Sequence, residues 1–206
     1  RQILNITPDH LNRHHTMANY IAAKESIVKN QTRDDLCVLN YNDEVLRAFG
    51  KTLEQKVVLF SSTETLDAGL YLQENEILWA RNGKTEHIIS VEELNILGAH
   101  NYENVMAAVA LCDGMGVPME TIREGLRAFH AVEHRIEFVC KKNDIAFYND
   151  SKGTNPDAAI KGIQAMNRPT LLIGGGYDKE SSYDEWIESF LSLIHISEPT
   201  RPRLIS

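Results

Sequence analysis

The stretch Asn-Asp-Ser-Lys-Gly-Thr-Asn-Pro at residues 149–156 places a carboxylate, an ammonium group and two hydroxyls within five residues. An apolar run at 145–148 precedes it and predicts a buried strand, and a helical pattern over 156–166 follows it. Asn155 is a favourable N-cap. The first N–H groups of a helix have no partner inside the helix, so this loop could hold an anion. The residue types alone also leave open an ordinary polar loop with a normal helix cap.

His10 and Lys24 are the candidate functional residues near the start of the chain. His10 follows an apolar run at 3–6 that predicts a central, buried strand, and ligands of α/β sheets bind beyond the carboxyl ends of the strands. This histidine could contact a metal ion or a phosphate, or it could be hydrogen-bonded within a turn. Lys24 lies in the apolar stripe of a helix predicted over residues 17–30. Its amine either extends to water or is desolvated and neutral, a form that can react with carbon dioxide to give a metal-binding carbamate.

Two asparagines and an arginine could contact a nucleotide. Asn101 and Asn104 lie three residues apart in the first turn of a predicted helix, where they could recognise a base edge, although Asn101 could instead cap the helix. Arg135 could bind a phosphate through two parallel hydrogen bonds or form an interdomain salt bridge. A glycine-rich turn at 174–179 follows a strand predicted at 170–173. The full dinucleotide fingerprint and the G-x-x-x-x-G-K-[ST] phosphate loop are absent from the sequence.

The elements that must position these residues indicate an α/β fold. Apolar runs at 36–41 and 57–62, with a helical stretch between them, predict parallel strands joined by a helix. Three short strands follow between residues 69 and 90, and the Asn82-Gly83 dipeptide between two of them is a strong hairpin signal. We therefore predict a mostly parallel sheet with an antiparallel meander at its edge.

We divide the chain into three regions, residues 1–131, 132–191 and 192–206. The first two regions end with short helices, predicted from Thr121 to Phe129 and from Ser182 to Phe190, with Thr121 and Ser182 as N-caps. The third region breaks the helical pattern before it and contains two prolines. We expect this third region to be a foreign tail.

Composition restricts the class of protein. The formal net charge of −8 argues against a general nucleic-acid binder. No apolar run approaches the ~18 residues of a membrane helix and no signal-peptide pattern is present, so we expect a soluble, cytosolic protein. Cys37, Cys112 and Cys140 have neither paired nor metal-binding spacing, and we expect reduced thiols.

Six stretches of the chain resemble the motifs of the Mur ligases, in the order in which that family carries them. They are residues 4–11, 22–24, 98–104, 134–137, 149–155 and 174–179. The Asp-Ser-Lys-Gly-Thr-Asn block is similar in particular to the member of the family that adds D-glutamate. The resemblance covers roughly residues 1 to 190.

The resemblance implies part of a Mur ligase central ATPase domain in residues 1–131 and part of a Rossmann-like C-terminal domain in residues 132–191. It implies an ATP-dependent amide ligase of peptidoglycan precursor synthesis in the bacterial cytoplasm, with roles in cell-wall formation, cell shape and cell division. ATP would phosphorylate a carboxylate of UDP-N-acetylmuramoyl-L-alanine, and the amine of D-glutamate would attack the acyl phosphate. Mg²⁺ would bridge the phosphates. We expect a monomer with neither nucleic-acid nor membrane partners.

The resemblance also implies roles for individual residues in metal binding, catalysis and binding of D-glutamate. His10 and Lys24 are expected to serve a magnesium ion, Lys24 as a carbamate. Together with Lys152 they are the expected catalytic residues. Lys152, Thr154 and Lys179 are expected to hold the carboxylates of D-glutamate.

ATP contacts are implied in both regions. Asn101 and Asn104 are expected to contact adenine, and Arg135 and Asp150 the phosphates and ribose. The family's first domain, its phosphate loop and its metal-binding glutamate are missing, and its third domain is shortened. We therefore expect that this polypeptide by itself does not ligate.

Three alternatives remain beside the D-glutamate ligase. Within the same class, another Mur ligase or a folylpolyglutamate synthase would share the nucleotide chemistry but add a different amino acid. From another class, a non-catalytic nucleotide-binding module could have kept the fold. A carbamate on Lys24 would favour the enzyme, and a solvent-facing, unmodified Lys24 would favour the module. The glycine spacing argues against a Rossmann dehydrogenase.

Overall fold

The structure, a computed structural model, describes residues 1–7, 11–130, 132–154, 156–166, 168–175 and 184–191. The chain divides into two compact units. The first unit comprises residues 1–95 and 99–129, and the second comprises residues 96–98 and those from 130 onward. The predicted boundary at residue 131 lies near this division, but the identity of the two units with ligase domains stays a prediction, and the tail predicted at 192–206 lies outside the described residues.

A six-stranded sheet forms the centre of the first unit, with its strands in chain order. They are β1 (Gln2–Ile3), β2 (Leu36–Asn40), β3 (Lys56–Ser61), β4 (Gly69–Gln73), β5 (Glu76–Arg81) and β6 (Lys84–Ser90). The first four strands run parallel, and β4, β5 and β6 pair antiparallel. The predicted mostly parallel sheet with an antiparallel edge meander is confirmed.

Helices accompany this sheet. In the described part of the first unit they are α1 (Leu11–His14), α2 (Met17–Glu25), α3 (Glu44–Gly50), α4 (Ala99–Gly114) and α5 (Met119–Ala128). Helix α3 begins after Asp43, because Oδ1 of that residue accepts the backbone N–H of Leu46 at 3.1 Å. Helix α4 packs on β2, β3 and β4. None of the helices among the described residues is long and apolar enough to cross a membrane.

The core of the first unit is centred on β2. Cys37, Val38 and Leu39 have no exposed surface. Because successive side chains of a strand point to opposite faces, both faces of β2 are covered, as expected for a parallel strand between layers. Cys37 is a free thiol, and burial raises its pKa, so it stays protonated at neutral pH.

Two tight turns connect the antiparallel strands. Asn82 and Gly83 have φ angles of 54° and 70°, and Glu74 and Asn75 have φ angles of 49° and 66°. Two consecutive left-handed residues match the right-handed twist of a hairpin, which explains the Asn-Gly signal in the sequence. The Phe60–Leu70 pairing joins β4 to the parallel strand β3, so the meander is continuous with the main sheet.

In the second unit the described elements are a hairpin and two helices. They are β7 (Glu137–Lys142), β8 (Ile145–Asn149), α6 (Pro156–Gln164) and α7 (Asp184–Leu191). Helices α6 and α7 pack against each other. The described residues of this unit contain no parallel strand pair, so the Rossmann-like C-terminal domain stays a prediction.

Three element predictions for the first unit need correction. Strand β1 has only two residues and lies at the edge of the described sheet, where Ile3 is buried in one cluster with Cys37, Leu39 and Leu46. Helix α2 ends at Glu25 and continues as a 3₁₀ turn over Ser26–Val28, which is common at a helix C-terminus. Helix α5 starts at Met119, before Thr121, so its N-cap residue is Pro118, with a φ of −58°, and not Thr121.

Two predictions for the second unit also differ from the structure. Residues 145–148 form the predicted strand, but the strand is not buried: Ile145 is 60% exposed and Phe147 is 48% exposed. Residues 170–173 pair with no other described strand, and Ile173 is 87% exposed. In both cases the apolar composition predicted burial, but the described residues leave these side chains exposed. The N-cap predicted at Ser182 lies outside the described residues.

Candidate functional site

Two segments of the second unit, residues 134–137 and 149–154, are joined by hydrogen bonds and form what we call the turn–loop pair. The backbone N–H of Lys152 donates to the carbonyl oxygen of His134 at 2.9 Å. The side-chain nitrogen of Asn149 lies 2.8 Å from Nδ1 of His134. The backbone N–H of His134 donates to Oε2 of Glu137 at 2.8 Å. These bonds bring four predicted site residues into one local structure: Arg135, Asp150, Lys152 and Thr154.

One oxygen of the Asp150 carboxylate accepts a hydrogen bond, and the other lies against two glycines. Oδ1 accepts the backbone N–H of Ile136 at 3.1 Å. Oδ2 lies so close to two glycines that a Cβ on Gly162 would be 2.6 Å away and a Cβ on Gly153 would be 2.9 Å away. Side chains at these positions would displace the carboxylate. Asp150 therefore fixes the turn, a role that sequence reasoning missed because it depends on a residue 14 positions earlier.

The turn itself has an unusual backbone. His134 and Ile136 have φ angles of 68° and 46°. The left-handed region is uncommon for residues other than glycine, asparagine, aspartate and histidine, and it is most costly for a β-branched side chain such as isoleucine. Ile136 is nonetheless 7% exposed and its N–H is held by Asp150. Arg135 lies between these two residues with an exposed side chain, so the strained backbone determines where the guanidinium can reach.

Lys152 and Thr154 lie on the exposed part of the loop. The N–H of Thr154 donates to the carbonyl of Lys152 at 2.9 Å, which tightens the loop immediately before α6. Helix α6 begins at Pro156, as predicted. The exposed ammonium, the hydroxyl and the start of a helix together suit a carboxylate ligand. Lys179, the other predicted D-glutamate contact, and the predicted cap Asn155 lie outside the described residues.

The first unit has its own polar cluster, at the carboxyl ends of β2 and β3, which we call the strand-end network. Oε1 of Glu103 accepts the hydroxyl of Ser62 at 2.5 Å, and Oε2 accepts the side-chain amide of Asn40 at 3.3 Å. Asn40 also donates to the carbonyl of Leu4 at 3.0 Å. The backbone N–H of Ser62 donates to Asn42 Oδ1 at 3.2 Å. Glu103 thereby ties helix α4 to the edge of the sheet where α/β proteins bind ligands.

Sequence reasoning did not single out Glu103. The signal available was a polar residue at the end of each of two adjacent apolar runs, since Asn40 and Ser61 end β2 and β3 and both are buried. Buried polar groups require partners, so a carboxylate from a following helix was a reasonable candidate. Nothing in the sequence specified which helix would supply it.

The two predicted adenine contacts lie in the first turns of α4. Asn101 is half-buried and Asn104 is exposed. Because α4 begins at Ala99, Asn101 is its third residue rather than its N-cap residue. The pair lies on the same side of the helix, three residues apart, and the side chain of Glu103 between them is held at the sheet.

The predicted metal-binding pair is described in part. His10 lies outside the described residues. Lys24 is exposed, and its Nζ lies 5.3 Å from the centre of the Tyr20 ring. Because the side chain is exposed, the apolar stripe of α2 does not desolvate Lys24. Among the described residues, no group of three His, Cys, Asp or Glu side chains is arranged to hold a metal ion.

Comparison with protein families identifies one matching model. The model of the Mur ligase middle domain matches residues 2–112. This segment contains the six-stranded sheet and most of α4, and therefore the strand-end network and both predicted adenine contacts.

Several similar curated proteins carry the name UDP-N-acetylmuramoylalanine–D-glutamate ligase. The protein from Lachnoclostridium phytofermentans is 55% identical over 188 residues, which cover 91% of this chain and 41% of the relative. The protein from Lachnospira eligens is 50% identical over 91% of this chain and 42% of the relative. That from Clostridioides difficile is 45% identical over 93% and 42%. The chain thus spans about two fifths of the length of the relatives it matches.

Solved structures show a similar fold at low sequence identity. MurF from Acinetobacter baumannii has a TM-score of 0.61 at 21% identity, over 84% of this chain and 38% of that protein. UDP-N-acetylmuramate-alanine ligase MurC from Thermotoga maritima has a TM-score of 0.60 at 22% identity, over 84% and 40%. At this level of identity the likeness concerns the fold alone.

Proposed function

Because the middle-domain model matches more than half of the chain, the protein belongs to the Mur ligase family, and we propose that it is part of an ATP-dependent ligase that adds D-glutamate to UDP-N-acetylmuramoyl-L-alanine. The observation that carries this proposal is the identity of 45–55% over nine tenths of the chain to relatives that all bear the D-glutamate ligase name. This identity includes the second unit, where the residues expected to distinguish one amino acid from another lie. The proposal places the reaction in peptidoglycan precursor synthesis in the bacterial cytoplasm.

The proposed chemistry needs no covalent bond to the protein. The γ-phosphoryl group of ATP passes to the carboxylate of UDP-N-acetylmuramoyl-L-alanine and ADP is released. The amine of D-glutamate then attacks the acyl carbon to form the C–N bond, the C–O bond to the phosphate breaks and inorganic phosphate leaves with its electron pair, and the nitrogen loses a proton to give the amide. The protein contributes positioning and stabilisation of charge, as in other phosphoryl transfers.

The proposed ATP contacts are divided between the two units. Asn101 and Asn104 would face adenine, because two amides on one helical side can match the donors and acceptors of a base edge. Arg135 would bind phosphate oxygens through its planar guanidinium. Asp150 would face the ribose or phosphates, but its described contacts with the turn make positioning of Arg135 its first role.

The proposed D-glutamate contacts are Lys152, Thr154 and Lys179. D-Glutamate carries two carboxylates, and two ammonium groups with a hydroxyl and a helix start give a matching set of positive charges and donors. Lys152 and Thr154 are already placed together by the turn–loop pair. Lys152 is also the proposed catalytic residue of this group, since its charge can stabilise the substrate as the amine attacks.

Mg²⁺ would neutralise phosphate charge, and the family resemblance assigns His10 and a carbamate on Lys24 to it. The donor set described here does not fit a metal site, since it lacks a cluster of three ligands and shows an exposed Lys24. None of the roles given above to Arg135, Asp150, Lys152 or Thr154 depends on the metal.

The test uses a full-length ligase in which this chain replaces the matching 188 residues of the Lachnoclostridium phytofermentans relative. Phosphate release is measured with ATP, UDP-N-acetylmuramoyl-L-alanine and one amino acid at a time. The proposal predicts release with D-glutamate and little with L-alanine, diaminopimelate or D-alanyl-D-alanine. Release with another of these amino acids would identify a sister ligase, and ATP binding without any release would identify a nucleotide-binding module.

A further inference from the structure

Helix α6 lies against the Asp150 carboxylate, which in turn holds the turn that presents Arg135. Gly162 lies in α6, and an ideal Cβ on it would be 2.6 Å from Oδ2 of Asp150 and 3.6 Å from its Cγ. Atoms of real side chains do not approach a Cβ so closely. The Asp150 carboxylate therefore occupies the space that a side chain at residue 162 would take.

The position of this carboxylate has a consequence for the turn. While Oδ2 rests against Gly162, Oδ1 accepts the N–H of Ile136 at 3.1 Å. Aspartate has a short side chain with two rotatable bonds, so a displacement of one oxygen moves the other. A larger residue at 162 would thus weaken the bond to Ile136.

The bond to Ile136 matters because the turn is strained. Ile136 has a φ of 46°, a conformation that costs about 1–3 kcal/mol for a residue other than glycine. A charged acceptor on its N–H and burial of its side chain are the described interactions that oppose this cost. Without the acceptor, the backbone is expected to relax towards negative φ and to redirect the neighbouring Arg135.

We propose that Gly162 is a positioning residue for Arg135: the absence of a side chain at 162 lets Asp150 hold the left-handed turn that directs the guanidinium towards the phosphates of ATP. This inference rests on the proposed function for the identity of the ligand. It goes beyond that function by assigning a role in nucleotide binding to a helical glycine that contacts no substrate.

The chain offers a matched control. Gly125 is also a helical glycine, in α5, and a Cβ on it would meet no atom within 4 Å. Glycine to alanine favours a helix by about 0.5–1 kcal/mol in both places, so the two substitutions differ in the contact with Asp150 alone.

The experiment measures KM for ATP in the chimeric ligase described above. Gly162→Ala is expected to raise KM for ATP about tenfold, the loss that corresponds to one charge-assisted hydrogen bond, and Gly125→Ala is expected to leave it unchanged. In an Arg135→Ala background, Gly162→Ala should have no further effect, because its effect passes through Arg135. Equal KM values for the two alanine variants, or an effect of Gly162→Ala that persists without Arg135, would overturn the inference.

A second measurement keeps the inference testable if Gly162→Ala does not fold or if the ligase is inactive. Hydrogen exchange of the Ile136 amide is followed in the chain itself, with and without Asp150→Ala, which leaves α6 unaltered. Protection that is lost in Asp150→Ala supports the inference, and an Ile136 amide that exchanges equally fast in both proteins contradicts it. Absence of D-glutamate-dependent phosphate release in the unsubstituted ligase would reject the proposed function instead, and this exchange experiment would still decide the role of Asp150.

Discussion

The hairpin turns of the first unit and the Arg135 turn of the second both use left-handed backbone, but for different reasons. At Asn82 and Gly83 the residue types accept positive φ and the hairpin requires it. At Ile136 the β-branched side chain resists positive φ, and the hydrogen bond that its N–H donates to Asp150 of the 149–154 loop compensates. The comparison teaches that the left-handed geometry at Ile136 depends on a contact with another segment, whereas at Asn82 and Gly83 the residue types are sufficient.

A similar contrast holds for apolar residues. In the first unit, β2 is an apolar run that is fully covered, and Leu39 has no exposed surface. In the second unit, β7 and β8 also carry apolar side chains, but Phe138 is 56% exposed. Stability of the described structure therefore resides mainly in the first unit, and the proposed binding residues Arg135 and Lys152 lie in the less buried second unit.

The largest expected effect on stability tests the contrast between the buried strand β2 and the exposed hairpin of the second unit. Leu39→Ala should lower the free energy of unfolding by about 2–5 kcal/mol, because it leaves a cavity between packed layers. Phe138→Ala should lower it by less than about 1 kcal/mol, because most of that side chain already contacts solvent. Urea unfolding followed by circular dichroism measures both. A comparable loss in the two variants would show that the hairpin of the second unit is packed after all.

The strand-end network should give the next largest effect. Glu103→Ala removes the acceptor of the Ser62 hydroxyl and of the Asn40 amide, and unpaired polar groups of this kind cost about 1–3 kcal/mol. Glu103→Gln keeps the shape and one acceptor oxygen, so it should cost less. The same urea experiment compares them. If Glu103→Ala is as stable as the unsubstituted chain, the network does not hold α4 to the sheet.

Two glycines of the first unit, Gly83 in a hairpin turn and Gly125 in helix α5, test the cost of left-handed backbone. Gly83→Ala should lower the free energy of unfolding by about 1 kcal/mol. The added Cβ would meet open space, but φ at this residue is 70°, which is unfavourable for alanine. Gly125→Ala has the same open space without a positive φ, and should stabilise by about 0.5–1 kcal/mol. Thermal unfolding of the two variants should therefore shift in opposite directions, and a shift in the same direction would refute the cost assigned to left-handed backbone.

The smallest expected effect concerns pH. The hydrogen bond from Arg127 holds the pKa of Glu93 below its ordinary value of 4.5. A carboxyl with a lower pKa in the folded state stabilises the fold above its unfolded pKa, and this contribution disappears as the pH falls through the folded pKa. The free energy of unfolding should thus decrease with acidification below about pH 4.5, and Glu93→Gln should make that decrease shallower. An identical pH profile for the two proteins would contradict the assignment.

Much of the first unit could be predicted from sequence, because local signals there agree with the tertiary structure. The apolar runs of β2 and β3 and the Asn82-Gly83 turn in the first unit, like the start of α6 at Pro156 in the second, follow rules that act over a few residues. Predicting a buried strand at 145–148 failed for the opposite reason: burial depends on what covers a strand, and the strand's own composition does not contain that information.

The candidate site was predictable in its residue types but not in its connections. Arg135, Asp150, Lys152 and Thr154 were identified from their chemistry and from family resemblance, and the structure places them in one turn–loop pair. The bond from Ile136 to Asp150 and the space over Gly162 arise only when segments distant in sequence come together. For the same reason Glu103, whose partners are 41 and 63 residues away, was missed.

The most direct test of the account concerns the residue on which the choice of amino acid depends. In the chimeric ligase, KM for D-glutamate and KM for ATP are measured for Lys152→Ala and for the neighbouring exposed control Ser151→Ala. Loss of a charge-assisted contact worth about 1.5–3 kcal/mol predicts a rise of about 10- to 100-fold in KM for D-glutamate in Lys152→Ala, with KM for ATP and the Ser151→Ala enzyme little changed. An unchanged KM for D-glutamate in Lys152→Ala would contradict the claim that the turn–loop pair holds this substrate.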